Sequence, residues 1–224
     1  MPTVLITGAS RGIGLEFARQ YAADSWRVIA TCRTPDKAAA LRALRPAAEV
    51  LALDVADLAR VSALGRELAG ETIDVLIANA GIYIARGMTP DAIDAAPWLE
   101  SFSVNTIGPL ACAGAFLAPV ARSRERKMIA LGSAAGSLTR LRYGGTYVYR
   151  SSKAALHAVW RAFAFDHPEI IAVLLSPSRV RTDMNPTATL SVEDSVAGMR
   201  RVIAGLTQQD SGLFFRHDGE PAPW

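Results

Sequence analysis

Tyr149 and Lys153 are the residues of this sequence best spaced for acid–base chemistry. In a helix, positions i and i+4 share a face, so a phenol and an ammonium at this spacing point into one cleft. A free phenol has a pKa of about 10 and is a poor acid–base group near neutral pH. A neighbouring ammonium favours the phenolate and brings Tyr149 toward the range a proton donor needs. Ser133 precedes the pair by sixteen residues and directly follows an apolar run. Taken alone, Tyr-x-x-x-Lys also describes a snorkelling surface pair.

A second constellation lies near residue 1. Gly8, Gly12 and Gly14 follow the apolar run Val4-Leu-Ile6 and precede Leu15, Phe17, Ala18 and Tyr21 at helical spacing. That order reads as a buried strand, a turn and an amphipathic helix. A glycine lacks Cβ, so its backbone can approach a bulky anion closely. The first N–H groups of the next helix are unpaired and lie at the positive end of its dipole. The assembly is a pyrophosphate cradle. About twenty residues further on, NAD enzymes carry an acid for the ribose 2′-hydroxyl. Here the turn reads Cys32-Arg33-Thr34 and has no acid. Arg33, or Arg11 in the glycine loop, suits a 2′-phosphate instead, which favours NADP(H) over NAD(H). The plainer alternative is a surface arginine.

These residues need elements to position them. Strands are expected at Val4–Ile6, Arg27–Thr31, Val50–Leu53, Val75–Ala78, Met128–Leu131, Ile170–Leu175 and Leu213–Phe215. Helices are expected between them: Lys37–Leu44, with Asp36 as its cap, and Val61–Leu68, capped by Asp57. One long helix should run from Pro97 to Arg122. Two more are expected at Tyr147–Phe165 and at Ser191–Leu206, with Ser191 as cap. Repeated β–α–β units with buried strands predict a doubly wound, Rossmann-type α/β fold: a parallel sheet flanked by helices, as a single domain over residues 1–224. Ligands then bind at the carboxyl ends of the strands, where Asp54 and Asn79-Ala80-Gly81 fall.

Thr7-Gly-x-x-x-Gly-x-Gly14, Asp54, Asn79-Ala-Gly81, Asn105, Ser133 and Tyr149-x-x-x-Lys153 follow one another in the order of the short-chain dehydrogenase/reductase family, which the whole chain resembles. The resemblance implies a catalytic tetrad of Asn105, Ser133, Tyr149 and Lys153. Ser133 would bind the substrate oxygen and Tyr149 would give or take the proton. Lys153, with the positive oxidised nicotinamide, would lower the tyrosine pKa, and it would hold the nicotinamide ribose. Asn105 would support Lys153 through water. Cofactor contacts are implied for Gly8, Ser10, Arg11, Gly12, Ile13 and Gly14. Arg33, Asp54, Val55, Asn79, Ala80 and Gly81 would meet the adenosine side, and Pro177, Val180 and Thr182, with Tyr149 and Lys153, the nicotinamide side. The activity implied is hydride transfer between NADP(H) and a carbonyl or alcohol carbon.

Ser103–Leu110, Tyr149–Leu156, Thr182-Asp-Met184 and the stretch Gly219–Trp224 resemble C-factor-like and sniffer-like carbonyl reductases. That branch brings an alternative, a cofactor-binding signalling or regulatory protein with little turnover. Two stretches depart from the family. Pro177-Ser-Arg-Val-Arg-Thr182 carries Ser178 where the family has glycine, and a serine is strained there if the position needs positive φ. The turn Asp166–Glu169 is also short. The segment Ser178–Leu190 is brief for a loop that closes over substrate, which suggests an open, tolerant site.

Composition excludes other classes. The 224 residues are 50% apolar and 20% charged, with a formal charge of only +3, so a nucleic-acid stripe is not expected. Cys32 and Cys112 have neither disulfide nor metal spacing. His157, His167 and His217 form no metal site or triad; packing or surface roles are expected. Because the first strand begins almost at once, no signal peptide is expected, and Pro109–Ala121 is too short to span a bilayer. The expected setting is cytoplasmic. The family resemblance implies that the Tyr147 helix and the long helix pair with their symmetry mates in a homodimer or homotetramer, and Ala111, Ala115, Ala118, Ala158, Val159 and Ala162 offer small apolar surface compatible with that packing. Trp224 is expected to anchor the last residues.

Overall fold

Thr3–Ile6 (β1) are four consecutive buried residues, because this strand is covered on both faces. The computed structural model describes residues 1–44, 48–183 and 185–224. From β1 the chain passes through Gly12–Ala23 (α1) to Arg27–Cys32 (β2), then through the short helix Ala39–Arg42 (α2) to Glu49–Ala52 (β3). Leu58–Glu67 (α3) leads to Val75–Ala78 (β4). Ala95–Phe102 (α4), Gly108–Ala115 (α5) and Leu117–Ala121 (α6) lead to Lys127–Leu131 (β5). Tyr147–Asp166 (α7), Ile171–Ser176 (β6), Val192–Gly205 (α8) and Phe214–Arg216 (β7) complete the fold. The sheet order is β3-β2-β1-β4-β5-β6-β7, and all six pairs are parallel. The expected doubly wound α/β sheet is present. Its order reverses between β1 and β4, where the register aligns Ile6 with both Ala30 and Ile77. A crevice opens outside the carboxyl ends of two strands at such a reversal.

Strand alternation sends successive side chains to two cores. Leu5, Leu76, Met128 and Leu174 face α3, α5 and α7, where Phe116 and Trp160 are fully buried. Val4, Ile77, Ile129 and Val173 face α1 and α8, against Phe17 and Met199. Both cysteines are buried and free, and burial alone pushes the Cys112 thiol up to about 12. Asp57 and Ser191 cap α3 and α8 as expected, accepting from Arg60 N and Asp194 N.

Two helical expectations need correction. The Lys37 helix is reduced to a 3₁₀ turn at Pro35–Lys37 followed by the single turn α2, whose cap is Ala38; Asp36 caps nothing. The helix expected as one piece from Pro97 is broken twice. Residues Ser103–Ile107 form a π turn between α4 and α5, and Phe116, with φ −103°, separates α5 from α6. The first break has a covalent cause. Pro109 has no N–H, so the Asn105 carbonyl four residues before it has no α-helical donor.

Candidate active site

The cleft is built from the ends of β1, β4 and β5. Thr7 is buried after β1, and its Oγ1 accepts from Asn79 N and Ala80 N, both at 3.1 Å. Asn79 Nδ2 returns the contact, donating to Thr7 O at 2.8 Å and Gly8 O at 3.0 Å. The two loops are thereby one rigid unit. Gly8 has φ +67°, and a Cβ there would stand 2.8 Å from Ala80 Cα. A Cβ at Gly14 would stand 2.5 Å from both Asn79 Nδ2 and Gly8 O. Only glycine allows this packing. Arg11, in extended backbone, precedes α1 without a side-chain cap, so the first N–H groups of the helix face the cleft unclaimed by one. These residues fit a pyrophosphate.

The rim is mostly exposed. Arg33 extends from the end of β2 with no ion pair among the described residues. Arg11 meets Asp183 at 3.2 Å, with both side chains at least 75% exposed. Asp54 turns one carboxylate oxygen onto Ala56 N at 3.0 Å. The buried Val55 touches α5, where a Cβ on Gly108 would meet Val55 O at 2.8 Å. Pro177 accepts from Ser195 Oγ at 2.7 Å through its carbonyl. Val180 is buried and bridges Leu190. Thr182 crosses toward the glycine loop; a Cβ on Gly12 would lie 4.0 Å from its methyl. Ser178 has φ +67°, the positive value anticipated as a strain. Met184, part of the motif beginning at Thr182, lies outside the described residues.

The candidate acid–base residues converge on the next strand ends. Ser133 follows β5, its Oγ accepts from Ala135 N at 3.1 Å, and its side chain is near enough to Tyr149 to act on the phenol's pKa. Lys153 is almost fully buried and donates from Nζ to Leu131 O at 2.8 Å, 5.9 Å from the Tyr149 ring centre. Asn105 is fully buried in the π turn. It accepts from Ile82 N at 2.8 Å and donates to Ile82 O at 2.9 Å and Ser152 Oγ at 3.0 Å. A Cβ on Gly81 would meet Asn105 Oδ1 at 3.3 Å and Lys153 Nζ at 3.7 Å, so the strand-four motif joins the same cluster.

Burial sets the electrostatics of the pair. The resemblance implies that Lys153 and the oxidised nicotinamide lower the Tyr149 pKa; in the chain alone the phenol is raised above its usual 10.0. Desolvation by the surrounding protein is the largest cause, the Ser133 side chain opposes it, and Tyr83 adds to it. Burial without a carboxylate partner also pushes Lys153 down to about 8, which weakens its pull on the phenol.

Three supporting residues carry no site role of their own in the sequence reading. His157 is buried, accepts from Ser133 N through Nε2 at 3.2 Å, and is pushed down to about 4, mainly by burial and then by Lys153. It continues the stripe of Tyr149 and Lys153 at another four-residue step, the signal that could have found it. Tyr83 packs on Tyr149 with ring centres 4.5 Å apart, and no spacing points to it. Thr7 stands out in the sequence only as part of the glycine motif. Trp224 anchors the tail as expected: its main-chain oxygen accepts from Thr139 N at 2.9 Å and Ser137 Oγ at 2.9 Å, while Arg161 lies over its ring.

Of the residues named for subunit contact, Ala118, Ala158 and Ala162 are exposed. Ala115 instead packs within the chain, 2.7 Å through its carbonyl from where a Gly65 Cβ would stand.

Comparison with known proteins agrees with this geometry. Residues 2–192 match the short chain dehydrogenase family model. C-signal of Myxococcus xanthus is 42% identical over 158 residues, 68% of this chain and 93% of that protein. The 1-hydroxy-2-glutathionyl-2-methyl-3-butene dehydrogenase of Rhodococcus sp. (strain AD45) is 30% identical over all of both chains. A carbonyl reductase from chicken fatty liver, solved with NADPH bound, superposes with a TM-score of 0.89 at 35% identity, covering 100% of this chain and 99% of that one. The carbonyl reductase Sniffer of D. melanogaster gives 0.91 at 29% identity over 100% of both chains. With the glycine loop, the strand-four motif and the Ser-Tyr-Lys cluster in place on one sheet, the chain belongs to the short-chain dehydrogenase family.

Proposed function

We propose that this protein is an NADP(H)-dependent oxidoreductase that interconverts a carbonyl and an alcohol on a small molecule. The observation that carries this is the meeting of Ser133, Tyr149 and Lys153 beside a glycine loop whose packing leaves no room for a Cβ. Its likeness to an NADPH-bound carbonyl reductase supports the choice of cofactor.

The bound nicotinamide would supply or accept the hydride at C4; the protein supplies position and proton. The N–H groups opening α1 and the Gly8–Gly14 loop would hold the pyrophosphate, Arg33 with Arg11 the 2′-phosphate, and Asp54, Val55 and Asn79–Gly81 the adenosine. Pro177, Val180 and Thr182 would meet the nicotinamide. Ser133 Oγ donates to the carbonyl oxygen. Tyr149, beside Ser133, delivers its proton to that oxygen as negative charge develops. A raised phenol pKa keeps the proton on Tyr149 at neutral pH, which suits reduction. Lys153 lies close enough to steady the phenolate after transfer. Asn105 holds the Ile82 backbone, and its carbonyl, deprived of a donor by Pro109, would carry the water that links it to Lys153.

Loss of 340 nm absorbance from NADPH over aldehydes, ketones and quinones tests the reading. Tyr149→Phe should keep cofactor affinity and lose at least about a hundredfold in turnover, the scale of a lost general acid. Near-normal rates in that variant would remove the tetrad assignment.

The likeness to C-signal favours a second reading, a cofactor-binding signalling protein with little turnover. NADPH binding with no turnover across the panel would support it. Within the main reading the chain acts as one domain over residues 1–224, in the cytoplasm, as a homodimer or homotetramer, without nucleic acid or membrane.

A further inference from the structure

Ser178 follows Pro177 just after β6 and is left-handed, with φ +67°. That region crowds a Cβ against the backbone, so a serine stays there only when its surroundings hold it. Its backbone N–H donates to Ser176 Oγ at 3.3 Å, and its side chain has a partner of its own. Ser178 Oγ shares a hydrogen bond of 2.9 Å with Nδ1 of His217, 39 positions along the chain. His217 is itself fixed. It sits in the turn after β7, closed by Gly219 N donating to Arg216 O at 3.0 Å and Arg216 N to Glu220 O at 2.9 Å. Its carbonyl lies against α8, where a Cβ on Gly198 would come within 2.5 Å. On the other side of Ser178 the chain is tied at Pro177 by Ser195 and at Val180 by Leu190, and Arg181 N donates to Leu190 O at 2.9 Å. Between those ties the chain runs from Ser178 to Thr182, whose methyl lies 4.0 Å from where a Cβ on Gly12 would stand.

We propose that His217 is a positioning residue: by its hydrogen bond it holds Ser178 left-handed and so sets where Val180 and Thr182 meet the nicotinamide half of the cofactor. This rests on the cofactor reading given above. A glycine in place of Ser178 would adopt the same conformation freely and need no partner. Serine needs one, and His217 supplies it from a rigid turn outside the cleft.

The test is fluorescence titration of the full chain with NADPH and, separately, with 2′-phospho-ADP-ribose, which has the adenosine half and no nicotinamide. Ser178→Ala and His217→Phe keep the crowded Cβ and lose the bond. Each should weaken NADPH by roughly fivefold, the scale of one neutral hydrogen bond, and leave 2′-phospho-ADP-ribose unchanged. Ser178→Gly should bind NADPH like wild type, and His217→Phe added to it should do no further harm. His217→Asn, which can still hydrogen-bond to Ser178, should recover most of the loss. Wild-type NADPH affinity in both single variants overturns the proposal. So does an equal loss for both ligands, which would mark general damage, or a His217→Phe defect that persists when combined with Ser178→Gly. If wild type binds neither ligand, the cofactor reading itself fails, and this inference with it.

Discussion

Two opposite charge effects meet at single residues of this cleft. Burial raises the Tyr149 phenol and lowers Lys153 to about 8; both shifts favour the neutral form. Reduction should therefore hold its rate from about pH 6 to 8, where the phenol keeps its proton. Alcohol oxidation, which needs phenolate, should climb steadily with pH. Steady-state rates in both directions across that range check this, and equal profiles would exclude Tyr149 as the shared acid–base group. Arg33 poses a separate question, that of charge. A 2′-phosphate needs a cation, and a charge-assisted contact is worth about 1.5–3 kcal/mol. NADPH should bind at least about tenfold tighter than NADH, and Arg33→Ala should erase most of that gap while sparing NADH. An unchanged preference in the variant would move the role to Arg11. His157 shows the same competition as a stability effect. Its folded pKa of about 4 lies below the ordinary 6.5, so the unfolded chain binds more protons between those values. Above pH 6.5 this costs nothing. As pH falls toward 4 the fold should lose about 3 kcal/mol. Denaturant melts of wild type and His157→Gln should diverge over that window, because glutamine can accept from Ser133 N without titrating.

At the scale of elements, the helices do more than cover the sheet. The π turn at Ser103–Ile107 rotates Asn105 inward, where its amide clamps Ile82 and Ser152. The stripe Tyr149, Lys153 and His157 runs along α7, so one helix carries the proposed acid, its cationic neighbour and the support for Ser133. The glycine loop is held to the end of β4 so closely that side-chain volume is excluded. Gly14→Ala would place a Cβ 2.5 Å from the Asn79 amide and the Gly8 carbonyl. Overpacking of that kind costs about 1–3 kcal/mol. The variant should melt earlier and bind NADPH weakly; a wild-type melt with wild-type affinity would mean the loop yields more easily than its hydrogen bonds imply.

For the molecule as a whole, the exposed apolar residues of α4 and α7 are where the proposed second copy would sit. Ala158 and Ala162 are exposed on α7, Leu99 on α4 is 66% exposed, and Phe165 at the end of α7 is 71% exposed. Large apolar residues left in water beside small ones favour close helix pairing. Light scattering at micromolar concentration should give at least twice the 23.9 kDa chain mass. A monomer at that concentration removes the assembly, and the patch would then need another explanation.

The sequence alone determined whatever depends on local pattern. Alternating apolar strands and amphipathic helices implied a parallel sheet, because buried strands joined by crossover helices have few other solutions. Glycine spacing implied the cradle, and the Tyr149–Lys153 interval implied a shared face, since both follow from backbone geometry within a few residues. The caps at Asp57 and Ser191 were legible for the same reason. Other features depend on distant partners. The pKa directions at Tyr149 and Lys153 come from burial by several elements, an effect that a pairwise reading of the two residues does not contain. The contacts of His157 with Ser133, Tyr83 with Tyr149, and His217 with Ser178 join segments 24, 66 and 39 residues apart. No spacing rule spans such separations, and only the packed fold brings those groups within reach. The π turn lies between the two cases: Pro109 signalled a missing donor locally, but only the tertiary contacts of Asn105 with Ile82 and Ser152 show what the break positions.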